Sequence, residues 1–220
     1  MVGSEPRAAP RPLQRRYDRA SPEFGRVAGL SDGVFAIAMT LLVLGLEVPA
    51  IGDAPLATLL RERLPNLIAF VLGFALVANM WWAHHKLVSQ LSCFEPGLIR
   101  INLLLLGAVA LVPFPTGLVG IAPDERAAVL PFISLFIVLQ AVFLAMVARA
   151  HAQQAWRSPL STTMYRWVRF SWLAAIAGMT LALLVASWVP IGGLVVATLH
   201  GVVTDSVIAR LAPRGYTDWA

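Results

Sequence analysis

The chain has 220 residues, of which 58% are hydrophobic and 13% charged, and its mean hydropathy is +0.74. This composition excludes an ordinary soluble domain and predicts an integral membrane protein. The net charge of +5 comes from sixteen arginines and a single lysine, Lys86, set against twelve acidic residues, and we interpret the basic residues as topology signals rather than as a nucleic-acid surface.

The first 28 residues carry six arginines and several prolines. They contain no apolar core followed by a small-residue cleavage site, so they do not resemble a signal peptide. The sequence therefore predicts that residues 1–28 form a basic, disordered arm on the cytoplasmic side of the membrane.

Six apolar segments follow, each close to the length of about 20 residues that crosses the hydrocarbon layer. They cover roughly residues 32–49, 65–88, 98–118, 129–150, 167–188 and 190–208. The sixth is the weakest, because two glycines, a histidine and an aspartate interrupt it. We therefore predict an all-α protein with a six-helix transmembrane domain over residues 29–210 and a short cytoplasmic tail at 211–220.

The basic residues also predict the orientation of these segments. Fourteen of the seventeen fall on one side of the proposed membrane, and only Arg61, Arg63 and Arg126 fall on the other. Because cytoplasmic loops are enriched in Lys and Arg, both termini should be cytoplasmic, which requires an even number of spans. We expect a multi-pass protein of the cell membrane.

The first span carries a stripe of residues at helical spacing. The stripe consists of Gly33, Ile37, Thr40, Leu44 and Glu47, with Leu41 on its flank. Small, apolar and acidic residues on one line would suit a helix that surrounds an axis of symmetry, where branched side chains form a constriction. In the alternative interpretation, the apolar residues are ordinary packing and Glu47 is solvated at the membrane interface.

A charged segment precedes this span, with Arg26, Ser31 and Asp32 close to the apolar run. Ser31 could cap the N-terminus of the helix, and the negative charge of Asp32 in the first turn could interact favourably with the helix dipole. Alternatively, the two residues belong to a buried polar network with groups at similar depth on the second and third spans. Those groups are His84, His85, Lys86 and Asn102.

The two adjacent histidines do not predict a metal site. Neighbouring residues of a helix point about 100° apart, so His84 and His85 cannot easily bind one ion. The only cysteine, Cys93, has no metal-ligand spacing. A structural hydrogen-bonding role is favoured over a proton relay, and no cofactor is expected.

These residues resemble a known family. The run from Arg26 through Leu30, Ser31 and Asp32 to Leu44 is similar to the RxxxFSD first-helix signature of the transmembrane protein 175 family, although Leu30 replaces the signature's Phe. Further likeness lies in the tryptophans before the histidine pair, in Asn102, and in the segment Pro113-Phe114-Pro115-Thr116. The family comprises lysosomal and prokaryotic potassium channels, and the six-span layout resembles that of its single-repeat prokaryotic members.

The resemblance implies a homotetramer in which the first helix lines a central pore, without the TVGYG filter of other potassium channels. Ile37, Leu41 and Leu44 would form apolar constriction rings and Thr40 a polar ring between them. The structural network would consist of Arg26, Ser31, Asp32, His84, His85 and Asn102. An outer cation ring at Glu47 is our own inference from the stripe.

We therefore expect passive conduction of K⁺ and of other monovalent cations, with identical copies of the chain and the lipid bilayer as partners. A proton-coupled secondary transporter is the alternative, and an enzyme is not expected because no nucleophile and base pair is recognisable. The fifth span adds a stripe of small residues, Ala174, Gly178, Ala182 and Ala186, that could pack within or between subunits.

Overall fold

The computed structural model describes residues 16–46 and 55–211 of the chain. The helices are α1 (Pro22–Leu41), α2 (Leu56–Glu62), α3 (Leu64–Gln90), α4 (Pro96–Leu111), α5 (Pro113–Ile121), α6 (Arg126–Ala152), α7 (Thr162–Ala186) and α8 (Pro190–Leu211). A 3₁₀ turn at Leu42–Gly45 continues α1, and the short strands β1 (Tyr17–Asp18) and β2 (Cys93–Phe94) pair antiparallel. The prediction of an all-α membrane protein is confirmed.

Within the described ranges, five helical segments are long and apolar enough to cross a membrane. They are α1 with its 3₁₀ turn, α3, the pair α4 and α5, α6, and α7. The sixth predicted span is also helical, and the apolar segment found among its described residues is Pro190–Gly201, which is shorter than the other five. The total of six membrane spans therefore stays a prediction.

Helix α1 begins earlier than the apolar pattern indicated. Ser21 caps it by accepting a hydrogen bond from the backbone N–H of Phe24 at 3.3 Å, and Pro22 occupies the first turn. Proline suits this position because its missing N–H has no partner there anyway. Within the predicted arm, residues 17–18 thus form β1 and residues 22–28 the start of α1, whereas residues 1–15 lie outside the described part of the chain.

The third predicted span is divided into α4 and α5 at Pro113. Proline lacks the N–H that would continue the helical hydrogen bonds, and the hydroxyl of Thr116 donates to the carbonyl of Val112 at 2.8 Å next to the break. A Cβ atom on Gly73 would lie 2.9 Å from the Thr116 methyl group, so α3 approaches α5 closely. Hydropathy alone could not show the break, because both halves are equally apolar.

The helices form a bundle whose core lies around α6. The largest completely buried side chains include Phe132, Phe136 and Leu139 of α6 and Leu105 of α4. Helix α1 packs against α3, α4 and α5, whereas α7 packs against α6 and α8. As a result, α1 lies on one side of the bundle and keeps one long face uncovered in the single chain.

The small-residue stripe of α7 packs within the chain, against α8. Ala182 and Ala186 are completely buried, and a Cβ atom added to Gly193 of α8 would collide with Ala186. Likewise, the ring of His200 leaves no room for a Cβ atom at Gly178. These close approaches show that α7 and α8 run antiparallel, with glycine at the crossing points.

Candidate functional site: the first helix and its buried polar network

Helix α1 has two clearly different faces. Phe24, Ser31, Phe35 and Ala38 recur at helical spacing and are buried against the neighbouring helices. On the opposite face, Ile37, Leu41 and Leu44 have exposed fractions of 60%, 42% and 71%. Thr40 lies on this second face and is also exposed. The residues predicted to line a pore therefore share one uncovered surface of the chain.

Leu44 and Thr40 have local features that the simple helical pattern did not predict. Leu44 lies in the 3₁₀ turn Leu42–Gly45 rather than in the α-helix. The Thr40 hydroxyl donates to the carbonyl of Ile37 at 2.8 Å. Because the hydroxyl proton is used within the helix, the Thr40 oxygen can act only as a hydrogen-bond acceptor on the exposed face of α1.

A chain of hydrogen bonds joins α1, α3 and α4 behind this face. Ser31 Oγ lies 3.0 Å from the Val27 carbonyl, Asn102 Nδ2 lies 3.0 Å from Ser31 Oγ, and His84 Nε2 lies 2.9 Å from Asn102 Oδ1. A carbonyl can only accept, so Ser31 donates to Val27 and accepts from the Asn102 amide. Asn102 Oδ1 then accepts from the Nε2–H of His84. Every polar atom on the path has a partner of the correct type.

This network is entirely buried. Ser31, His84 and Asn102 are all at most 1% exposed, and the ring of Phe35 lies 5.5 Å from that of His84. In apolar surroundings these groups have no water as an alternative partner, so an unpaired group would be costly. The hydrogen bonds therefore favour the one arrangement of the helices in which all of them form. The interpretation of Ser31 as a helix cap is wrong, because the helix starts ten residues earlier and Ser31 lies in its interior.

Asp32 contacts the second span by a separate hydrogen bond. The indole N–H of Trp81 donates to Asp32 Oδ1 at 2.9 Å. Trp81, Trp82 and His85 form an aromatic group beside this bond, and His85 stacks on Trp82 with a centroid distance of 5.8 Å. His85 is exposed and His84 is buried, as expected for neighbours that point in different directions.

Arg26 is not part of the network. Arg26 is exposed, and among the described residues no hydrogen bond or ion pair connects it to Asp32. Six residues on a helix correspond to a rotation of about 240°, so the two side chains leave different faces. Arg26 instead lies nearly in line with Ile37. Glu47 lies outside the described residues, and Leu30, at the position of the signature's Phe, is 50% exposed.

Sequence reasoning missed an ion pair that fixes α4. Both oxygens of Glu95 accept at 2.7 Å from the backbone N–H groups of Gly97 and Leu98, and Arg149 of α6 donates to them at 2.6 and 3.1 Å. The hydrogen bond from Arg149 lowers the pKa of Glu95 from 4.5 to about 2, although burial opposes the shift. An acidic residue directly before Pro96 was a readable sign of a helix cap.

Gly97 leaves room for this ion pair. A Cβ atom there would lie 2.7 Å from Arg149 Nη2 and 2.8 Å from Glu95 Oε1. The start of α4 is thus held tightly to the end of α6, and α4 in turn carries Asn102.

Among the described residues, no group of three His, Cys, Asp or Glu side chains could hold a metal ion.

The chain is similar to several known proteins. The family model described as endosomal/lysosomal potassium channel TMEM175 matches residues 26–113. A protein of Chamaesiphon minutus named as a potassium channel is 38% identical over 127 residues, which are 55% of this chain and 63% of that protein. A protein of Streptomyces collinus with the same kind of name is 42% identical over 99 residues, or 44% of this chain and 48% of that protein. The matched part thus spans about half to two thirds of these relatives.

A solved structure resembles most of the chain. It is the crystal structure of a homologue, from Chamaesiphon minutus, of the lysosomal potassium-selective channel TMEM175. The likeness has a TM-score of 0.63 and a sequence identity of 30%, and it covers 83% of this chain and 98% of the other. The residues that the family model matches include Ser31, His84 and Asn102 of the polar network. The chain therefore belongs to the TMEM175 family, which is a family of ion channels and not of enzymes.

Proposed function

We propose that this protein is a potassium-permeable cation channel in which four copies of the chain surround one axis and α1 lines the pore. One observation carries the proposal. Helix α1 is anchored on one face by buried packing and by the Ser31–Asn102–His84 hydrogen bonds, while its opposite face exposes Ile37, Leu41 and Leu44. A helix at the side of a bundle with such an apolar stripe suits an assembly in which copies of that stripe face each other.

The proposed constriction is apolar. Ile37 and Leu44 are seven residues apart, which is about 12 Å along the α-helix and the 3₁₀ turn that continues it. Branched side chains from four subunits would close a narrow passage and control the entry of water and hydrated ions. Since they cannot replace an ion's hydration shell as carbonyl oxygens do, we expect passive conduction with modest selectivity for K⁺ over other monovalent cations.

Thr40 is the polar element of this passage. Its hydroxyl donates back to the carbonyl of Ile37, so its oxygen is available as an acceptor at the level between the apolar residues. Four such oxygens around an axis would favour a cation or its water over an anion. The buried network would then hold each α1 at the correct distance from the axis without contacting the ion.

No observation favours the alternative of a proton-coupled secondary transporter. The relatives reported above are named as channels, and the described helices that contain the network are continuous through its depth. A carrier would instead favour interrupted helices at the site of binding. Orientation with both termini in the cytoplasm and location in the cell membrane belong to the same proposal.

Flux measurements on purified protein test the proposal. We expect proteoliposomes to pass K⁺ down its gradient at a rate that is linear in gradient and independent of a proton gradient, with protein-free liposomes as the control. The mass of the detergent-solubilised particle should correspond to four chains. Absence of K⁺ flux at several membrane potentials would refute the channel, and saturable flux strictly coupled to protons would establish the carrier instead.

A further inference from the structure

The first three turns of α7 border an open groove that the proposed pore does not use. Its volume is about 610 Å³. The residues that line it are Thr163, Arg166, Trp167, Arg169, Phe170 and Leu173. They change along the helix from polar and basic at its beginning to aromatic and aliphatic further in. The groove is therefore basic at one end and apolar at the other.

The charge of this groove is strongly one-sided. Arg166 and Arg169 are one turn apart, and both are exposed. No acidic residue occurs in the sequence of α7, and in the described part of the chain no carboxylate lies within ion-pair distance of either guanidinium. Because α8 runs antiparallel to α7, its last turn with Arg210 returns to the same end of the bundle. The basic end would attract an anion.

The aromatic residues hold the shape of the groove. The Arg169 guanidinium lies over the ring of Tyr165, 5.6 Å from its centroid. The rings of Trp167 and Phe170 contact edge to face with a centroid distance of 5.7 Å. These contacts position Arg169 and Phe170 without using the hydrogen-bonding groups of the arginine. Among the described residues, no hydrogen bond to a protein group is seen for its five N–H donors, which could therefore serve a ligand.

The position of the groove on a membrane span matches the structure of a phospholipid. Helix α7 is one of the five segments suited to cross the bilayer, and arginine with tryptophan near the end of a span is typical of the head-group region. Phe170 and Leu173 are about half exposed, at 55% and 48%, and they lie further along the helix, where acyl chains begin.

We propose that this groove binds an anionic phospholipid, with Arg166 and Arg169 on the phosphate and Phe170 and Leu173 against the first part of an acyl chain. The planar guanidinium group of arginine binds phosphate oxygens with two parallel hydrogen bonds. A zwitterionic head group binds less well, because its own positive charge is repelled by the arginines. A free phosphate ion would leave the apolar half of the groove exposed. The site is independent of ion conduction, so the proposal does not rest on the channel function.

Native mass spectrometry of the full-length protein with added phosphatidylglycerol or phosphatidylcholine tests the proposal. We expect phosphatidylglycerol to bind more tightly, and the double variant Arg166→Gln/Arg169→Gln to bind it about tenfold more weakly, since each basic side chain at a membrane surface contributes a several-fold effect. The matched control Arg61→Gln/Arg126→Gln removes the same charge from exposed arginines outside the groove and should change binding less than twofold. Equal losses in both double variants, or none in the first, would overturn the assignment.

Two further measurements distinguish a lipid site from a phosphate site and a lost contact from a folding defect. Glycerol 3-phosphate at the same concentration should not displace the lipid, and displacement would show a site for free phosphate groups instead. If the double variant does not fold, the single variant Arg166→Gln should weaken phosphatidylglycerol binding about threefold with an unchanged particle mass. An unchanged affinity in that variant would refute the proposal.

Discussion

Asn102 on α4 donates its side-chain amide to Ser31 Oγ on α1 at 3.0 Å, although 71 residues separate the two in the chain. The same amide group accepts from His84 of α3 through its oxygen at 2.9 Å. One side chain thus links three helices directly, including the one proposed to line the pore. Because all three partners are buried, loss of any one leaves the others without a substitute.

The first prediction concerns this side chain. Asn102→Ala removes both hydrogen bonds and leaves the His84 Nε2–H and a lone pair of Ser31 unsatisfied in the core. The cost should be about 2 to 6 kcal/mol, since each of the two unpaired buried polar groups costs about 1 to 3 kcal/mol. Thermal denaturation of the purified protein in detergent measures it as a clear decrease in melting temperature.

Asn66→Ala is the matched control for this measurement. The Asn66 amide makes an exposed hydrogen bond of 3.4 Å to the Gly45 carbonyl, which contributes little because water can replace it. We expect its melting temperature to stay close to that of the unmodified protein. If Asn102→Ala were as mild as Asn66→Ala, the buried network would not stabilise the helix arrangement.

The second prediction separates positioning from selectivity at Asp32. Asp32→Ala and Trp81→Phe each remove one side of the 2.9 Å hydrogen bond between α1 and α3. Both should reduce the assembled fraction or the open probability several-fold, with the K⁺ over Na⁺ ratio unchanged. Asp32→Asn keeps an acceptor oxygen for the indole, and it should also impair assembly or opening more than it alters which ion passes.

Trp82→Phe controls for the loss of an indole at this level, because Trp82 stacks on His85 and is 51% exposed. Single-channel recording and size-exclusion chromatography supply the two readouts. A changed ion selectivity in Asp32→Ala, with assembly and opening intact, would place this carboxylate in the ion path and disprove its positioning role.

The third prediction tests the exposed stripe of α1. Leu44→Ala or Ile37→Ala should widen the proposed constriction and raise K⁺ flux several-fold, because a wider apolar passage stays wet more of the time. Leu184→Ala on α7 is the control, since Leu184 is 61% exposed but belongs to a different side of the bundle. Equal fluxes in all three variants would mean that α1 does not line the pore.

The sequence predicted the elements more accurately than their ends. Hydropathy located α3, α6 and α7 to within a few residues, because each is a long apolar run between charged or breaking residues. It placed the start of α1 ten residues too late, since Glu23 and Arg26 at the exposed N-terminal turns hide the helix from a hydropathy window. Ser21 and Pro22 carried the correct signal.

In the candidate site, the sequence predicted what depends on local helix geometry and not what depends on packing between helices. The spacing of Ile37, Thr40, Leu41 and Leu44 was enough to group them on one face, because helical geometry is local. The partner of Asp32 was not predictable, since Trp81 reaches it across the packing of two helices. The pairing of Glu95 with Arg149 is not readable from the sequence for a related reason, because 54 positions separate the two residues and only the packing of α4 against α6 brings them together.

The fourth prediction concerns the pH dependence that this ion pair produces. The pKa of Glu95 is lowered from 4.5 to about 2 in the folded protein, so the unfolded chain binds the proton more readily. The stabilisation is therefore complete above pH 4.5 and is lost as the pH falls towards 2. Glu95→Gln removes the charge at every pH and should cost about 2 kcal/mol at pH 7, the scale of charge-assisted hydrogen bonds.

Melting curves at pH 7 and pH 3 check this prediction. The difference in stability between the unmodified protein and Glu95→Gln should be large at pH 7 and less than half as large at pH 3. At pH 3 the Glu95 carboxylate of the unfolded chain is already protonated, which stabilises the unfolded state, whereas that of the folded protein is still mostly ionised. Glu125→Gln is the control, since Glu125 precedes α6 without a side-chain hydrogen bond to the helix and is exposed. A difference between Glu95→Gln and the unmodified protein that did not shrink at pH 3 would show that Arg149 does not hold the carboxylate in its charged form.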